Sequence, residues 1–261
     1  PTCLEVMTGS VRPPGSTTII RYEDLERVGE TFRLPEGILD GKNIHWEGSD
    51  AAKGKELLAP GVRIDGAAIN LLASCGYAEV LVKRLPRVAV VATGDELVGV
   101  GETPLPHQIR MSNVYHLRYQ LSLYGIEAET HHLTDDIEAL KPAINDLLQT
   151  KDLLIFSGGV SKGRYDFLPE VLADLGVEQL LHRVAQRPGK PIWVGRTDAA
   201  MVFGLPGNPV SGLAGFLAYV GPFLRRNLGM QEQTEQQVLG AEVSFKPDLT
   251  FFKVCRIDPT D

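Results

Sequence analysis

From Arg87 to about residue 230, short apolar runs alternate with amphipathic segments of helical period, and this alternation restricts the chain to α/β architectures. The first run, Val88-Ala89-Val90-Val91-Ala92, has no polar side, so both faces of that strand must be covered, as in a parallel sheet. Ser112 to Tyr124 carries Val114, Leu117, Leu121 and Tyr124 on one helical face. Gly125 ends that helix before an extended stretch over Ile126 to His132, which completes one βαβ unit. A helix over Asp136 to Leu148, a buried strand over Leu153 to Phe156 and a helix over Asp166 to Leu175, closed by Gly176, continue the series. Strands at Ile192 to Val194 and Met201 to Phe203 precede a long apolar helix from Pro209 to Leu228. Residues 86–230 therefore read as a three-layer α/β/α domain with a mostly parallel sheet.

The flanks differ in composition. Residues 1–43 are rich in Gly, Pro, Thr and Arg, contain extended runs such as Thr17 to Tyr22, and read as a partial β-rich domain. Residues 44–85 read as a linker with a helical piece. Within it, Ala59-Pro60-Gly61 has the chemistry of a tight turn, and Asp65 is placed to cap a short helix that carries Leu72 and Cys75 and stops at Gly76. Residues 231–261 read as the opening of a further β domain. The chain begins at Pro1 rather than at a methionine, and the expectation is a protein shortened at both ends.

A net charge of −7 with both signs interspersed gives no reason to expect a nucleic-acid partner. There is no run of about 18 apolar residues and no basic start leading into an apolar stretch, so neither a membrane span nor a secretory signal is predicted and a cytoplasmic protein is expected. Cys3, Cys75 and Cys255 are odd in number and far apart, which suits buried free thiols better than disulfides or a zinc site.

In open α/β sheets ligands lie beyond the carboxyl ends of the strands, and four loops there carry chemistry. Thr93-Gly94-Asp95-Glu96 follows the first strand directly; a capped turn and a site are both open for it. Ser157-Gly158-Gly159-Val160-Ser161-Lys162-Gly163 has paired glycines that allow positive φ and a nest of N–H groups suited to an anion. In Gly204-Leu205-Pro206-Gly207-Asn208-Pro209-Val210-Ser211, Asn208 is placed as N-cap and Pro209 as first helical residue, so the loop is either a plain cap or an anion site at a helix start. Arg183, with Arg187-Pro188-Gly189-Lys190-Pro191, forms a cationic stretch held between prolines, suited to phosphate or a tetrahedral oxyanion.

Glu96, Asp135 and Asp166 fall at or just beyond strand ends, beside these anion-binding loops. At ~4 Å, like charges repel by about 4 kcal/mol at an effective dielectric of about 20, so carboxylates next to phosphate call for a bridging cation. Mg²⁺ is the natural one, since it binds through one or two carboxylates plus phosphate oxygens. Asp135 with Glu138 also has the form of a capping box, which would explain both without chemistry. The adjacent His131 and His132 point to opposite faces of a strand and receive no role. No Ser/His/Asp order, Walker A loop or GxGxxG is present.

Taken in order, Met7-Thr8-Gly9, Gly48-Ser49-Asp50, Thr93-Gly94-Asp95-Glu96-Leu97, Ser112-Asn113, the Ser157 to Ser161 loop, Pro188-Gly189-Lys190-Pro191 and the Gly204 to Ser211 loop resemble the MoeA family, also represented by the gephyrin E domain. The resemblance implies a MogA-like central fold and a molybdopterin molybdenumtransferase, which takes adenylylated molybdopterin and molybdate and, with Mg²⁺, yields molybdenum cofactor and AMP. By resemblance, Asp50, Glu96, Asp135 and Asp166 take the places of the family's functional carboxylates, Thr8 that of its MTG threonine, and Arg183 and Arg187 those of its basic residues. Glu96 and Asp166 are the implied metal ligands. Thr93, Gly94, Asp95, Ser112, Asn113, Ser157, Gly158, Gly159, Val160, Ser161, Lys190, Pro206, Gly207, Asn208, Pro209 and Ser211 complete the implied substrate site.

The departures are Ser49 where an acid is usual, Arg164-Tyr165 in place of Glu-Ala, Arg187 in place of Lys, and no MDGYA stretch. The family implies an elongated homodimer for the full-length protein and a possible MogA-like adenylyltransferase partner. A MogA-like adenylyltransferase and a non-catalytic, gephyrin-like scaffold module are the alternative functions.

Overall fold

A computed structural model describes residues 3–160, 167–230, 236 and 238–256 of the 261. The chain forms two compact units, Pro1–Pro60 and Gly61–Asp261. The division falls inside the stretch 44–85 that the sequence assigns to connection.

In the first unit, strands β1 (Glu26–Val28) and β2 (Thr31–Arg33) form an antiparallel hairpin. Gly29 holds the first turn position at φ 65°, which the tight two-residue connection requires. The Thr17 to Tyr22 run forms no strand. Its backbone makes isolated bonds instead, Gly41 N–H to Thr17 O at 2.8 Å and Ile19 N–H to Lys42 O at 3.1 Å. None of this unit's described side chains is buried.

The second unit opens with α1 (Gly66–Ser74), where the Asp65 carboxylate accepts the Ala68 N–H at 2.9 Å and Gly76 follows at φ 82°. The cap and the stop fall where the sequence puts them. The cysteines do not: Cys3, Cys75 and Cys255 are all exposed. Only Ala68 of α1 is buried, so Cys75 past its last turn has no apolar layer to enter. Cys3 and Cys255 lie among other exposed residues near the two ends.

Strand β3 (Val88–Thr93) is buried along its whole length. The short pair β4 (Leu97–Val98) and β5 (Ile109–Arg110) leads to α2 (Ser112–Ser122) and β6 (Glu129–Leu133). Then come α3 (Ile137–Thr150), β7 (Leu153–Ser157), α4 (Leu168–Asp174) and β8 (Glu178–His182). Next are β9 (Gln186–Arg187), β10 (Trp193–Arg196) and β11 (Met201–Leu205). One helical stretch follows, made of α5 (Pro209–Gly215), a π turn (Phe216–Val220) and α6 (Gly221–Asn227). The π turn lies just before Pro222, whose ring would meet the carbonyl four residues back in a regular α-helix. Finally β12 (Thr250–Phe251) lies parallel to β9.

The six-stranded sheet has the order β6-β3-β7-β11-β10-β8, and β10 alone runs against the other five. Alternation along β3 sends Val88, Val90 and Ala92 into a core with α2, the π turn and α6, and Ala89 and Val91 into a second core with α3 and α4. Three layers result. Strand β8 was not legible in advance, because an edge strand with exposed Glu178, Gln179 and Leu180 carries no buried run. No helix among the described residues is long and apolar enough to cross a membrane.

Connectivity selects the site. The chain leaves β3 through α2 to reach β6 on one side, then returns through α3 to β7 on the other side of β3. The carboxyl ends of β3 and β7 therefore flank a topological switch point, where open α/β sheets bind ligands.

Candidate functional site at the strand ends

Three polar side chains are buried among the described residues: Thr93, Ser157 and Gln186. Thr93 ends β3 and Ser157 ends β7, so two of the three stand on either side of the switch point. Thr93 is 6% exposed and its Oγ1 has no hydrogen-bond partner among the described residues. Burying a hydroxyl without a partner costs roughly 1–3 kcal/mol, a cost that a bound polar group would remove.

That hydroxyl faces Gly158 and Gly159, which hold φ 107° and 71°. A Cβ on Gly159 would sit 2.9 Å from Thr93 Oγ1, and one on Gly158 would sit 3.1 Å from it. Glycine is required there both by backbone sign and by the approach of Thr93. The Gly158 N–H is engaged by Leu205 O at 2.9 Å, which ties this loop to the end of β11.

Asn113, in the first turn of α2 next to Ser112, closes the arrangement from the other side. Its Nδ2 donates to Ser157 Oγ at 3.0 Å and to Gly207 O at 2.7 Å. Gly207 also lies within 3.8 Å of the Gly158 Cα when measured from an added Cβ. Asn208 caps α5 as the sequence suggests, accepting Val210 N–H at 3.1 Å and Ser211 N–H at 3.2 Å. This correlates with a rigid start behind the buried Pro206, and it also occupies two of the amides that an anion at that helix start would use.

At the end of β3, Gly94 adopts φ 136° and the Glu96 carboxylate folds over it, so that a Cβ there would lie 2.4 Å from Glu96 Oε2. Asp95 and Glu96 are exposed, and Asp95 Oδ1 accepts the Asp135 N–H at 3.1 Å. The capping-box reading of Asp135 is corrected. The N-cap of α3 is Asp136, whose Oδ1 accepts the Glu138 N–H at 3.1 Å, because the helix starts one residue later than that box requires. Asp135 is half-buried beside the β3 loop. His132 Nε2 lies 2.9 Å from Gly94 O, an anchoring contact that sequence reasoning passed over.

The cationic turn follows β8, which ends on the same side of the sheet as β3, β7 and β11. Arg183 is half-buried at φ 66°, while Arg187 and Lys190 are exposed. None of the three makes an ion pair with a described residue. Gly189 presses on α5, where an added Cβ would sit 3.3 Å from Ser211 O. The turn is thus continuous with the Gly204 to Ser211 loop, and through Gly207 and Asn113 with the switch point.

Not every candidate is brought together here. Ser161 and Asp166 lie outside the described residues. Thr8 and Asp50 belong to the first unit: Thr8 sits in the turn closed by Ser10 N–H to Met7 O at 3.0 Å, and Asp50 Oδ2 is 3.1 Å from His45 Nε2. Among the described residues, no three His, Cys, Asp or Glu side chains converge as a metal site. Two clefts of about 490 and 470 Å³, one lined by Tyr115, Arg118 and Tyr119 and the other by Glu138, Lys141 and Asp174, include none of the candidate residues.

A family model described as "Probable molybdopterin binding domain" matches residues 89–226, and one described as "MoeA N-terminal region (domain I and II)" matches residues 1–76. A molybdopterin molybdenumtransferase of Synechocystis sp. is 35% identical over 263 residues, covering 99% of this chain and 65% of its own length. One from Staphylococcus epidermidis is 34% identical over 227 residues, 87% of this chain and 54% of its own length. Among solved structures, a molybdopterin biosynthesis MoeA protein from Pyrococcus horikoshii OT3 superposes with a TM-score of 0.69 at 26% identity, over 87% of this chain and 55% of that one. A second Pyrococcus MoeA structure gives 0.66 at 34% identity, over 82% and 53%. The chain thus spans between 54% and 65% of the two curated relatives' length. The matches enclose both the N-terminal motifs and the whole switch-point site, and the chain belongs to the MoeA family.

Proposed function

We propose that this chain is part of a molybdopterin molybdenumtransferase, which takes adenylylated molybdopterin and molybdate, cleaves the phosphoric anhydride and yields molybdenum cofactor and AMP. The observation that carries this reading is the switch-point site itself. Thr93 Oγ1, buried and without a hydrogen-bond partner among the described residues, faces Gly158 and Gly159, with three cations that make no ion pair with a described residue on one flank and carboxylates on the other. Such a set suits a phosphoric anhydride and an oxyanion together.

The donors at the end of β3 fit Mg²⁺. Glu96, with Asp95 beside it, offers hard carboxylate oxygens, and Mg²⁺ takes the remainder of its octahedron from phosphate and water, so convergence of three side chains is not required. Asp166 is the second proposed ligand. A cation held there would neutralise charge on the phosphates. The chain's own groups do the rest: Arg183, Arg187 and Lys190 hold the leaving phosphate or molybdate, the Gly159 amide and Thr93 hydroxyl orient oxygens, and no side-chain nucleophile is needed.

Asp50, Asp135 and Thr8 are proposed to contribute in the whole protein, as are a homodimer and exchange of substrate with a MogA-like adenylyltransferase. The match of residues 1–76 to the MoeA N-terminal region favours this reading over an adenylyltransferase. Calorimetry of AMP and ADP with and without Mg²⁺, on the parent and on Asp166→Asn, tests it. Mg²⁺-dependent binding weakened by the substitution is expected. Absence of binding by a folded chain would leave either a scaffold module or a site completed only in the whole protein.

A further inference from the structure

The third buried polar side chain, Gln186, takes no part in the reading above and lies 3% exposed directly under the cationic turn. Its Nε2 donates to Pro188 O at 3.0 Å, and its Oε1 accepts the Tyr219 hydroxyl proton at 2.5 Å. Tyr219 belongs to the π turn of the long helix, so the contact runs from the turn into the body of the domain. The backbone reinforces it: Gln186 N–H reaches Val184 O at 2.9 Å, and Val184 N–H reaches Lys190 O at 3.0 Å. An added Cβ on Gly189 would stand 2.8 Å from Gln186 Nε2, so the amide packs against the turn with no side chain between.

A buried carboxamide is tolerated only when both its ends are satisfied, and two apolar side chains would fill the same space without that demand. What the polar pair supplies is direction. We propose that Gln186 and Tyr219 are positioning residues, forming a buried strut that fixes the Arg187 to Lys190 turn over α5 and thereby sets its affinity for a phosphate-bearing ligand. The affinity half of this rests on the phosphate reading above. Burial raises the Tyr219 pKa, which keeps its hydroxyl protonated and donating at neutral pH. Arg187 and Lys190 supply the charge and the strut supplies their placement. Neither cation is held by an ion pair with a described residue.

The test compares the parent with Gln186→Met, Tyr219→Phe, Gln186→Met with Tyr219→Phe, Gln186→Glu and Arg187→Ala. Amide hydrogen exchange at Val184 and Phe252, whose N–H groups end on Lys190 O and Arg187 O, reports the turn without any ligand. Calorimetry with AMP reports the site. In Gln186→Met, both amides exchange faster while those of β3 and β7 do not, and AMP affinity falls about fivefold, the equivalent of one ordinary hydrogen bond. The double variant removes donor and acceptor together and unfolds within a few degrees of the parent, yet binds AMP as weakly as Gln186→Met. In Gln186→Glu the carboxyl can donate to Pro188 O only while protonated, so AMP affinity falls with rising pH relative to the parent, a response that loss of packing would not produce. Unchanged exchange at both amides in a folded Gln186→Met overturns the strut. Faster exchange with unchanged AMP affinity, while Arg187→Ala does weaken AMP, overturns its effect on binding. Equal AMP binding by the parent and Arg187→Ala overturns the phosphate reading and the affinity half with it, and exchange alone then decides the strut.

Discussion

The Asn113 carboxamide donates to the Ser157 hydroxyl at 3.0 Å and to the Gly207 carbonyl at 2.7 Å, so one side chain at the start of α2 joins the ends of β7 and β11. Asn113→Ala removes both bonds. Stability should fall by roughly 1–2 kcal/mol and the unfolding midpoint by a few degrees, with weaker AMP binding because the Gly207 loop loses its tie to the nest. Equal midpoints and affinities for variant and parent would remove Asn113 from the site.

Gly94→Ala places a Cβ at φ 136° and 2.4 Å from Glu96 Oε2. The backbone strain costs roughly 1–3 kcal/mol, and the Glu96 carboxylate must move. The expected outcome is a lower midpoint together with loss of most of the Mg²⁺ enhancement of AMP binding, followed by titrating Mg²⁺ at fixed AMP. A variant that binds Mg²⁺ and AMP as the parent does would show that Glu96 has no part in holding the ion.

Asp135 and Asp136 are separable. Asp136→Ala removes the α3 cap and should cost about 1 kcal/mol of stability while leaving AMP binding intact. Asp135→Asn should do the reverse, changing the Mg²⁺-dependent binding with little effect on the midpoint. If both variants alter only the midpoint, the carboxylate at 135 is structural.

At the opposite end of the sheet, hydrogen bonds from Arg84, then from the Arg87 side chain and N–H, hold the Asp152 carboxyl well below the usual carboxylate range. A carboxyl lowered in the folded state stabilises at every pH above its unfolded value near 4, and that contribution is lost as pH falls from there toward the folded value. Both arginines are largely exposed, so screening limits the effect to roughly 1–2 kcal/mol. Asp152→Asn should therefore unfold at lower temperature than the parent at pH 7, with the gap narrowing progressively as pH falls below about 4. A gap independent of pH would mean that packing, not charge, is what the substitution removes.

Much of the central fold could be read from short patterns. The polar-free run in β3, the glycines after α1, α2 and α4, and Asn208-Pro209 at α5 each report a local requirement, and local requirements are written in neighbouring residues. What escaped depends on partners distant in the chain. Strand β8 looks polar because it lies at the sheet edge with its first three side chains exposed, and Asp136 rather than Asp135 caps α3, whose Leu140 and Ile144 face the core. Gln186 is unremarkable in sequence and becomes a buried hub only once Tyr219, 33 residues later, is folded over it. Residue types and spacing put these loops at the strand ends, while the Thr93 hydroxyl, without a partner among the described residues, and the Asn113 bridge arise only when segments far apart in the chain meet.

The π turn at Phe216–Val220 has a consequence for chain length. Such a turn holds one residue more than an α-helical turn, and each residue of an α-helix advances about 100° around its axis. Deleting one residue between 216 and 220 would let the stretch close as continuous α-helix, but would rotate Tyr219 relative to Gln186 or Arg225 relative to Tyr124, whose hydroxyl it now meets at 2.9 Å. Insertions and deletions should therefore be excluded from this segment even where substitutions are tolerated, because its register couples the two ends of the helix.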